Sequence, residues 1–423
     1  MHAKVYKKRP DRIKRMKMMW MLAFTLMPLL AIAYISWHVW CLLPLGTGWK
    51  VLAVMLLAGS FLLMFAGIFR STDSMPMALA TAVYETGTSS VFVLLYLFML
   101  FLVLDLGRLL HLLPRTLLYQ NGLMATGIAV FMFGLFLYGN LHYRQKYRQE
   151  LTIASPKITR PLRLVMLSDL HLGYHNQHDE LHRWVNIING EQPDLVLVAG
   201  DIIDGSMRPL KEQRMYEEFL RLKAPVYACL GNHEYYSGEP DARQFYRDAG
   251  IRLLQDTAVM VGGLRLIGRD DRTNLRRKPL GEILAGKTGG HPSGAAGEAF
   301  SILLDHQPYH LEEAEKQKID FQFSGHTHHG QVWPISWITE CIYECAFGSH
   351  RRGGTRYYIS SGIGIWGGKF RIGTRSEYVV LQLIPAERTK NCKYTIQNKQ
   401  HEKERCNKMG LSRGCSDSHV YLV

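Results

Sequence analysis

The chain has 423 residues, a length that fits about two to three domains, and a formal net charge of +14. The excess sits at the ends: residues 1–19 carry +7 and residues 385–423 carry +4, whereas residues 142–384 carry only +2. A body so close to neutral argues against a nucleic-acid groove, so no nucleic-acid partner is expected, and seven scattered cysteines, an odd number, give no disulfide framework and read as free thiols in a reducing compartment.

Residues 1–19 form a basic leader, with Lys4, Lys7, Lys8, Arg9, Arg12, Lys14, Arg15 and Lys17 against Asp11 alone. Residues 20–141 are strongly apolar and fall into four stretches, 20–43, 51–69, 91–113 and 123–141, each close to the ~20 residues that cross a bilayer core. The first is too long for a signal peptide, and three more follow it without a small-residue cleavage site. Basic residues before the first stretch and after the fourth (Arg144, Lys146, Arg148, Lys157, Arg160) place both ends in the cytoplasm by the positive-inside rule. The expectation is a multi-pass protein of the cell inner membrane, in contact with the lipid bilayer, with its catalytic part on the cytoplasmic side. The loop 70–90 fits least well, because Arg70 is offset by Asp73 and Glu85. Asp105 and Arg108, three apart on one helix face, read as an ion pair within the third span.

Residues 142–161 read as a juxtamembrane connector closed by Pro156 and Pro161. From 162 to 384 apolar runs alternate with helical patterns, with helices expected over 179–189 and 210–222, which is the order of an α/β domain. Strand-like runs near 258–267, 356–361 and 378–384 suggest a second sheet. The segment 270–297 reads as a loop with one short helix near 280–285, and residues 385–423 as a disordered tail.

Five strand-like runs end in ligand-grade side chains. They lead into Asp169 and His171, into Gly200 and Asp201, into Gly231, Asn232 and His233, into Asp305 and His306, and into Gly325, His326 and His328. Ligands held at the carboxyl ends of strands are the common arrangement in α/β enzymes. Two divalent cations about 3.5–4 Å apart clamp a phosphoryl group and activate water. Such a pair needs carboxylate oxygens, imidazoles and one bridging carboxylate. Asp169, His171, Asp201, Asn232, His306, His326 and His328 supply that set, and it suits Mn, Fe or Zn alike.

The blocks DLH, GDxxD, GNHE, DHQP and GHTH, in this order over about residues 162–384, resemble the signature of the calcineurin-like metallophosphoesterases. The resemblance implies a fold of two packed mixed β-sheets flanked by helices, here preceded by an all-α four-helix transmembrane region. It implies that Asp169, His171 and His328 hold one ion, that Asn232, His306 and His326 hold the other, and that Asp201 bridges them. It further implies that His233 is the general acid to the leaving oxygen and that Asp204 orients it. Phosphoprotein phosphatases of this superfamily read GDxxDRG, whereas residues 200–206 read GDIIDGS, which weakens a protein-phosphatase reading. The runs GRDD at 268–271, GHTHHGQVWP at 325–334 and SSGIGIWG at 360–367 resemble the membrane-associated bacterial branch that includes pyrophosphatases acting on UDP-2,3-diacylglucosamine.

Arg269 and Arg272 are candidates for contact with a substrate phosphate. The apolar segment 332–347, with Trp337, either receives acyl chains beside the metals or rests on the bilayer interface, or else packs as a helix under the second sheet. His175, His178 and His182 read as a solvated helix start rather than a third metal site. The expected function is a membrane-anchored dinuclear phosphoesterase hydrolysing a phosphodiester or phosphoanhydride, on a lipid-linked or nucleotide-sugar substrate, by attack of a metal-bridged hydroxide. The alternatives are a nuclease or cyclic-nucleotide phosphodiesterase, and a non-catalytic membrane sensor on the same fold.

Overall fold

The structure, a computed structural model, describes residues 10–68, 71–286 and 299–386. The outer part of the basic leader and the tail from 387 lie outside the described residues. Four helices come first: α1 (Pro10–Leu42), α2 (Thr47–Ile68), α3 (Met77–Leu109) and α4 (Gly122–Arg144). Among the described residues α2, α3 and α4 are long and apolar enough to cross a membrane, and the apolar part of α1 is Leu26–Leu42. A helix satisfies its own backbone groups, which is why uninterrupted apolar runs of this length adopt it. The helices approach closely where side chains are small: a Cβ on Gly87 of α3 would run into the backbone of Leu63 and Met64 in α2. Asp105 pairs with Arg108 at 3.0 Å, as the spacing suggests, and also accepts from Tyr34 and meets His38 of α1 at 2.7 and 2.9 Å.

Helix α3 starts at Met77, well before the expected span at 91–113. Its 33 residues rise about 50 Å, more than a hydrocarbon core needs. The extra turns meet the soluble domain, where Tyr84 reaches Asp204 and Thr88 borders Gly367.

The soluble domain has two six-stranded sheets. The first, in spatial order, contains β1 (Lys146–Ser155), β12 (Ser376–Pro385), β2 (Leu162–Leu167), β3 (Leu195–Ala199), β4 (Val226–Cys229) and β5 (Arg252–Leu253). The second contains β10 (Gly348–Arg352), β11 (Thr355–Ile359), β9 (Phe321–Ser324), β8 (Phe300–Leu304), β7 (Leu264–Gly268) and β6 (Thr257–Val261). Each mixes parallel and antiparallel pairs: β12 is antiparallel to β2 and parallel to β1, and β6 is antiparallel to β7 while β7, β8 and β9 run parallel.

Alternation of side chains builds the layers. Leu164, Met166 and Leu197 point between the sheets and meet Leu266, Ile302, Leu304 and Phe323 there. Val165, Leu167, Val196 and Val198 point outward onto Trp184, Phe219 and Phe245 of the covering helices. Both faces of the first sheet are thus dry, which accounts for its continuous apolar runs.

Three expectations are revised here. Residues 146–155 of the supposed connector form β1, whose ladder with β12 runs from Lys146 opposite Ser376 to Ser155 opposite Pro385. The run 378–384 belongs to the first sheet, where β12 is a buried inner strand. The single helix over 210–222 is two short ones, Arg208–Glu212 and Tyr216–Leu220. Arg214 adopts φ 50° between them, and Met215 N–H bonds back to Leu210 C=O at 3.0 Å, an ending of the Schellman type. That break lets Leu210, Met215 and Phe219 all reach the core.

Because β12 carries ladders on both sides, Leu381→Ala, at a fully buried position, is expected to cost about 2–5 kcal/mol. Met260→Ala on the exposed part of β6 should stay within about 0.5 kcal/mol of the parent. Denaturant unfolding of the detergent-solubilised full chain, followed by fluorescence, measures both.

Candidate metal centre

The carboxyl ends of β2, β3, β4, β8 and β9 converge, and the loops that follow them are tied to one another by main-chain bonds. Asp169 N–H donates to Gly200 C=O at 3.2 Å, His171 N–H to Asp201 C=O at 3.0 Å, and Gly325 N–H to His306 C=O at 2.9 Å. The site carboxylates are held the same way. Asp169 accepts from His326 N–H at 2.9 and 3.2 Å, and Asp201 accepts from His233 N–H at 2.9 Å.

The backbone is strained where it presents these side chains. Asp169, His171, Asp201, His326 and His328 all have φ between 48° and 72°, a left-handed conformation that costs non-glycine residues about 1–3 kcal/mol each and clusters at functional sites. Glycine makes the close approaches. A Cβ on Gly231 would strike the Asp201 carboxylate, and one on Gly325 would strike Asp169 and Ser168.

All seven expected ligands come together. The donor atoms of Asp169, His171 and His328 lie within 4.8 Å of one another, as do those of Asp201, His306 and His326. Asn232 Oδ1 is 3.2 Å from His306 Nε2 and 2.9 Å from His326 Nδ1. Asp201 Oδ2 stands between the two groups, 3.7 Å from His171 Nε2 and 3.1 Å from His306 Nε2.

The imidazoles are aimed by their other nitrogens. His306 Nδ1–H donates to Ala199 C=O at 2.7 Å, and His171 Nδ1–H donates to Asp204 Oδ1 at 3.1 Å, so both present Nε2 to the site. Burial works against charge on Asp201, but His306, His233 and His171 around it keep its carboxyl well below the usual range. These oxygen and imidazole donors, buried and crowded, fit a pair of divalent cations.

His233 Nδ1–H donates to the main-chain carbonyl of Asp204 at 2.8 Å, with the Asp204 carboxylate farther off at 3.5 Å. Asp204 therefore touches His233 chiefly through its backbone, and its side chain serves His171. Burial pushes the Asp204 carboxyl up, but the bond from His171 and the neighbouring His175 and His233 bring it down to about 2.

The two arginine candidates separate. Arg269 is buried and paired with Asp305 at 3.1 Å and Glu313 at 2.7 Å, so it braces the β7 and β8 ends instead of facing a substrate. Arg272 lies 4.3 Å over the Tyr309 ring, and the Tyr309 hydroxyl bonds that of Tyr343 at 2.9 Å. The Tyr343 ring is 6.3 Å from that of His326, so Arg272 stands at the rim of the site. Trp337 is exposed on the Ile335–Ile342 helix. His175, His178 and His182 do not converge. His175 bonds Ile365 C=O at 2.7 Å, whereas His178 and His182 share Glu218 at 3.3 and 3.2 Å with Arg221.

Three residues outside the sequence reading shape the site. Glu234 is fully buried and accepts from Asp201 N–H, Ile203 N–H and Gly231 N–H at 3.1, 3.1 and 2.7 Å, clamping the β3 and β4 loops together. Burial and the Asp201 charge raise it to about 7. Its position, three residues past Gly231 at a helix start, was a readable signal. Arg371, fully buried, donates to the carbonyls of His328, Ser361 and Gly364 at 2.6, 2.5 and 3.2 Å. Tyr84 of α3 donates to Asp204 Oδ2 at 2.5 Å.

In comparisons with known proteins, the family model described as calcineurin-like phosphoesterase matches residues 162–330. An uncharacterized metallophosphoesterase of Helicobacter pylori (strain J99) is 30% identical over 56% of this chain and 64% of that relative. A Danio rerio transmembrane protein with metallophosphoesterase domain is 28% identical over 80% of this chain and 81% of its own. The chain spans slightly under two thirds of the Helicobacter relative's length. Among solved structures, a 5'-nucleotidase precursor from Thermus thermophilus is similar at 14% identity and a TM-score of 0.32, over 59% of each chain.

Gly325→Ala is expected to lower the metal content of the purified full chain by about tenfold or more, since the new methyl displaces Asp169. Gly205→Ala, where a Cβ meets nothing, should leave it unchanged, and atomic emission on dialysed protein reads both. Residues 162–330, which hold all seven donors, thus carry the match to the calcineurin-like phosphoesterases.

Proposed function

We propose that this chain is a membrane-anchored, metal-dependent phosphoesterase that hydrolyses a phosphodiester or phosphoanhydride in a lipid-linked substrate. The observation that carries the reading is the convergence of seven oxygen and imidazole donors at five strand ends, with Asp201 between the two groups. Two divalent cations held there would polarise the phosphoryl group and lower the pKa of a water between them. His233, its Nδ1 engaged by the Asp204 carbonyl, keeps Nε2 for proton delivery to the leaving oxygen. Arg272 offers a fork of donors to a second phosphate oxygen at the rim.

The lipid part of the proposal rests on the Ile335–Ile342 helix, which follows the ligand loop directly. Val332 and Ile335 pack into the cluster formed by the α1–α4 bundle, and the Tyr96 hydroxyl of α3 donates to Trp333 C=O at 2.5 Å. On the other side Trp337, Ile338 and Ile342 are 60%, 56% and 59% exposed. An apolar, tryptophan-bearing helix face joined to spanning helices suits the bilayer interface. Tyr343, at the end of this helix, borders His326, so a headgroup phosphate reaching the metals leaves its chains beside the membrane. The Danio rerio relative supports the membrane part, since its match extends beyond the phosphoesterase region. The basic residues around the bundle favour a cytoplasmic site, and a nucleotide sugar joined to acyl chains is one substrate of the required kind.

The test uses the full chain in detergent with Mn, assayed on bis-p-nitrophenyl phosphate and on a diacyl nucleotide diphosphate in mixed micelles. The parent should cleave both. Asp201→Ala should lose metal and activity, and His233→Ala should keep metal while kcat falls about 10²–10⁴-fold. Trp337→Ser should spare the soluble substrate and weaken turnover of the lipid one. Equal losses on both would remove the lipid assignment, and a metal-replete parent that cleaves neither would remove the enzymatic one.

A further inference from the structure

A helix long and apolar enough to cross a membrane reaches the candidate metal centre through Asp204. Tyr84 lies on α3, the longest of the three described helices that are apolar enough to cross a membrane. Its hydroxyl donates to Asp204 Oδ2 at 2.5 Å, and the other oxygen of that carboxylate accepts from His171 Nδ1–H at 3.1 Å. Asp204 is 3% exposed and Tyr84 9%, so water has little access to replace the bond. The Tyr84 ring stacks on His175, with centroids 5.2 Å apart.

Around this contact the bundle grips the loop that carries Asp204. Arg208 Nη1 donates to the carbonyls of Thr72, Asp73 and Met75 at 3.3, 3.0 and 2.6 Å. Ser206 and Tyr174 donate to Asp73 at 2.8 and 2.6 Å, and Gln177 donates to Thr81 at 3.0 Å. The Asp204 loop and the start of α3 are therefore fixed to each other from both sides.

We infer that Tyr84 is a positioning residue for the metal centre, through which the membrane bundle sets the orientation of Asp204 and, through it, of His171. The inference rests on the reading of Asp169, His171 and His328 as one cation's ligands. Asp204 has two oxygens and two donors. One donor is a ligand imidazole, and the other comes from a separate structural unit. With the tyrosine hydroxyl removed, Oδ2 is left buried without that donor, and the carboxylate is free to turn toward His233 or away from His171. Loss of a partner that orients a metal-ligating histidine typically costs 10–100-fold in metal affinity or activity. The site then answers to the position of α3 in the membrane, because a shift of that helix moves the hydroxyl that holds Asp204.

The test compares Tyr84→Phe with Tyr174→Phe in the full chain reconstituted in lipid nanodiscs. Both remove one hydroxyl from the same contact surface, but only the first touches Asp204. Bound Mn is measured by equilibrium dialysis over a range of free Mn, and kcat and KM are measured on bis-p-nitrophenyl phosphate at saturating Mn. The expected result is a 10–100-fold weaker Mn affinity in Tyr84→Phe, with kcat reduced more than KM is changed, and parent values in Tyr174→Phe. Parent-like Mn affinity in Tyr84→Phe would overturn the inference. Equal losses in both variants would overturn it too, since they would report weakened packing between bundle and domain. A parent that binds no Mn would instead bring down the metal-centre reading, and the role of Tyr84 with it.

Discussion

The fold is governed by the need to hold buried acids side by side. Asp169, Asp201, Asp204 and Glu234 lie within one small volume, each at most 3% exposed, where an unpaired charge is costly. For Asp169, Asp201 and Glu234 the molecule meets this with main-chain N–H groups, and for Asp204 with His171 and Tyr84. Asp169 in the loop after β2 is held by the β9 loop, Asp201 in the loop after β3 by the β4 loop, and Glu234 in the β4 loop reaches back to the β3 loop. Glu234 is also held by Gly231 N–H of its own loop, at 2.7 Å. Pulling one loop away removes donors from a carboxylate on another, which ties the two sheets together at the site more firmly than their apolar contacts do alone.

The same constraint explains how much was legible in the sequence. The donors for Asp169, Asp201 and Glu234 are backbone groups, so the sequence must place glycine at the points of closest approach and ligand-grade side chains at the strand ends. Gly231, Gly325 and the Asp, Asn and His residues beside them are that pattern. The short helix at 280–285 was also readable, since its local signals agree with its final environment. What escaped is what depends on distant partners. Residues 146–155 alternate only weakly and read as a linker, because their described ladder is formed with β12, at residues 376–385, much further along the chain. Arg269 looked like a phosphate ligand because nothing local announces that Asp305 and Glu313 will surround it. Arg371, a buried cation whose described hydrogen bonds go to carbonyls and a serine hydroxyl, left no trace in spacing at all.

Bundle and domain are joined along a broad surface. Phe370 packs against Phe92 and Phe136, Asn140 donates to Lys369 C=O at 3.1 Å, and the backbone N–H of Arg371 donates to Gly139 C=O in α4 at 3.0 Å. Since the Arg371 side chain holds the His328 carbonyl, α4 reaches one ligand loop as α3 reaches another. The bundle is thus part of the scaffold of the site as well as its anchor.

The order of strands in the first sheet sets an order in time. β1 emerges from the ribosome directly behind α4, yet its ladder partner is β12, the last of the described strands, which inserts between β1 and β2. At common synthesis rates the wait for that partner is on the order of ten seconds or more. Throughout it β1 has neither edge paired, and β2, followed by Asp169 and His171, lacks its antiparallel neighbour. All seven donors are made before the strand that closes the sheet around them. The apolar helices are therefore made long before the site can be assembled, and the synthesis of β12 is the step that joins β1 to the rest of its sheet.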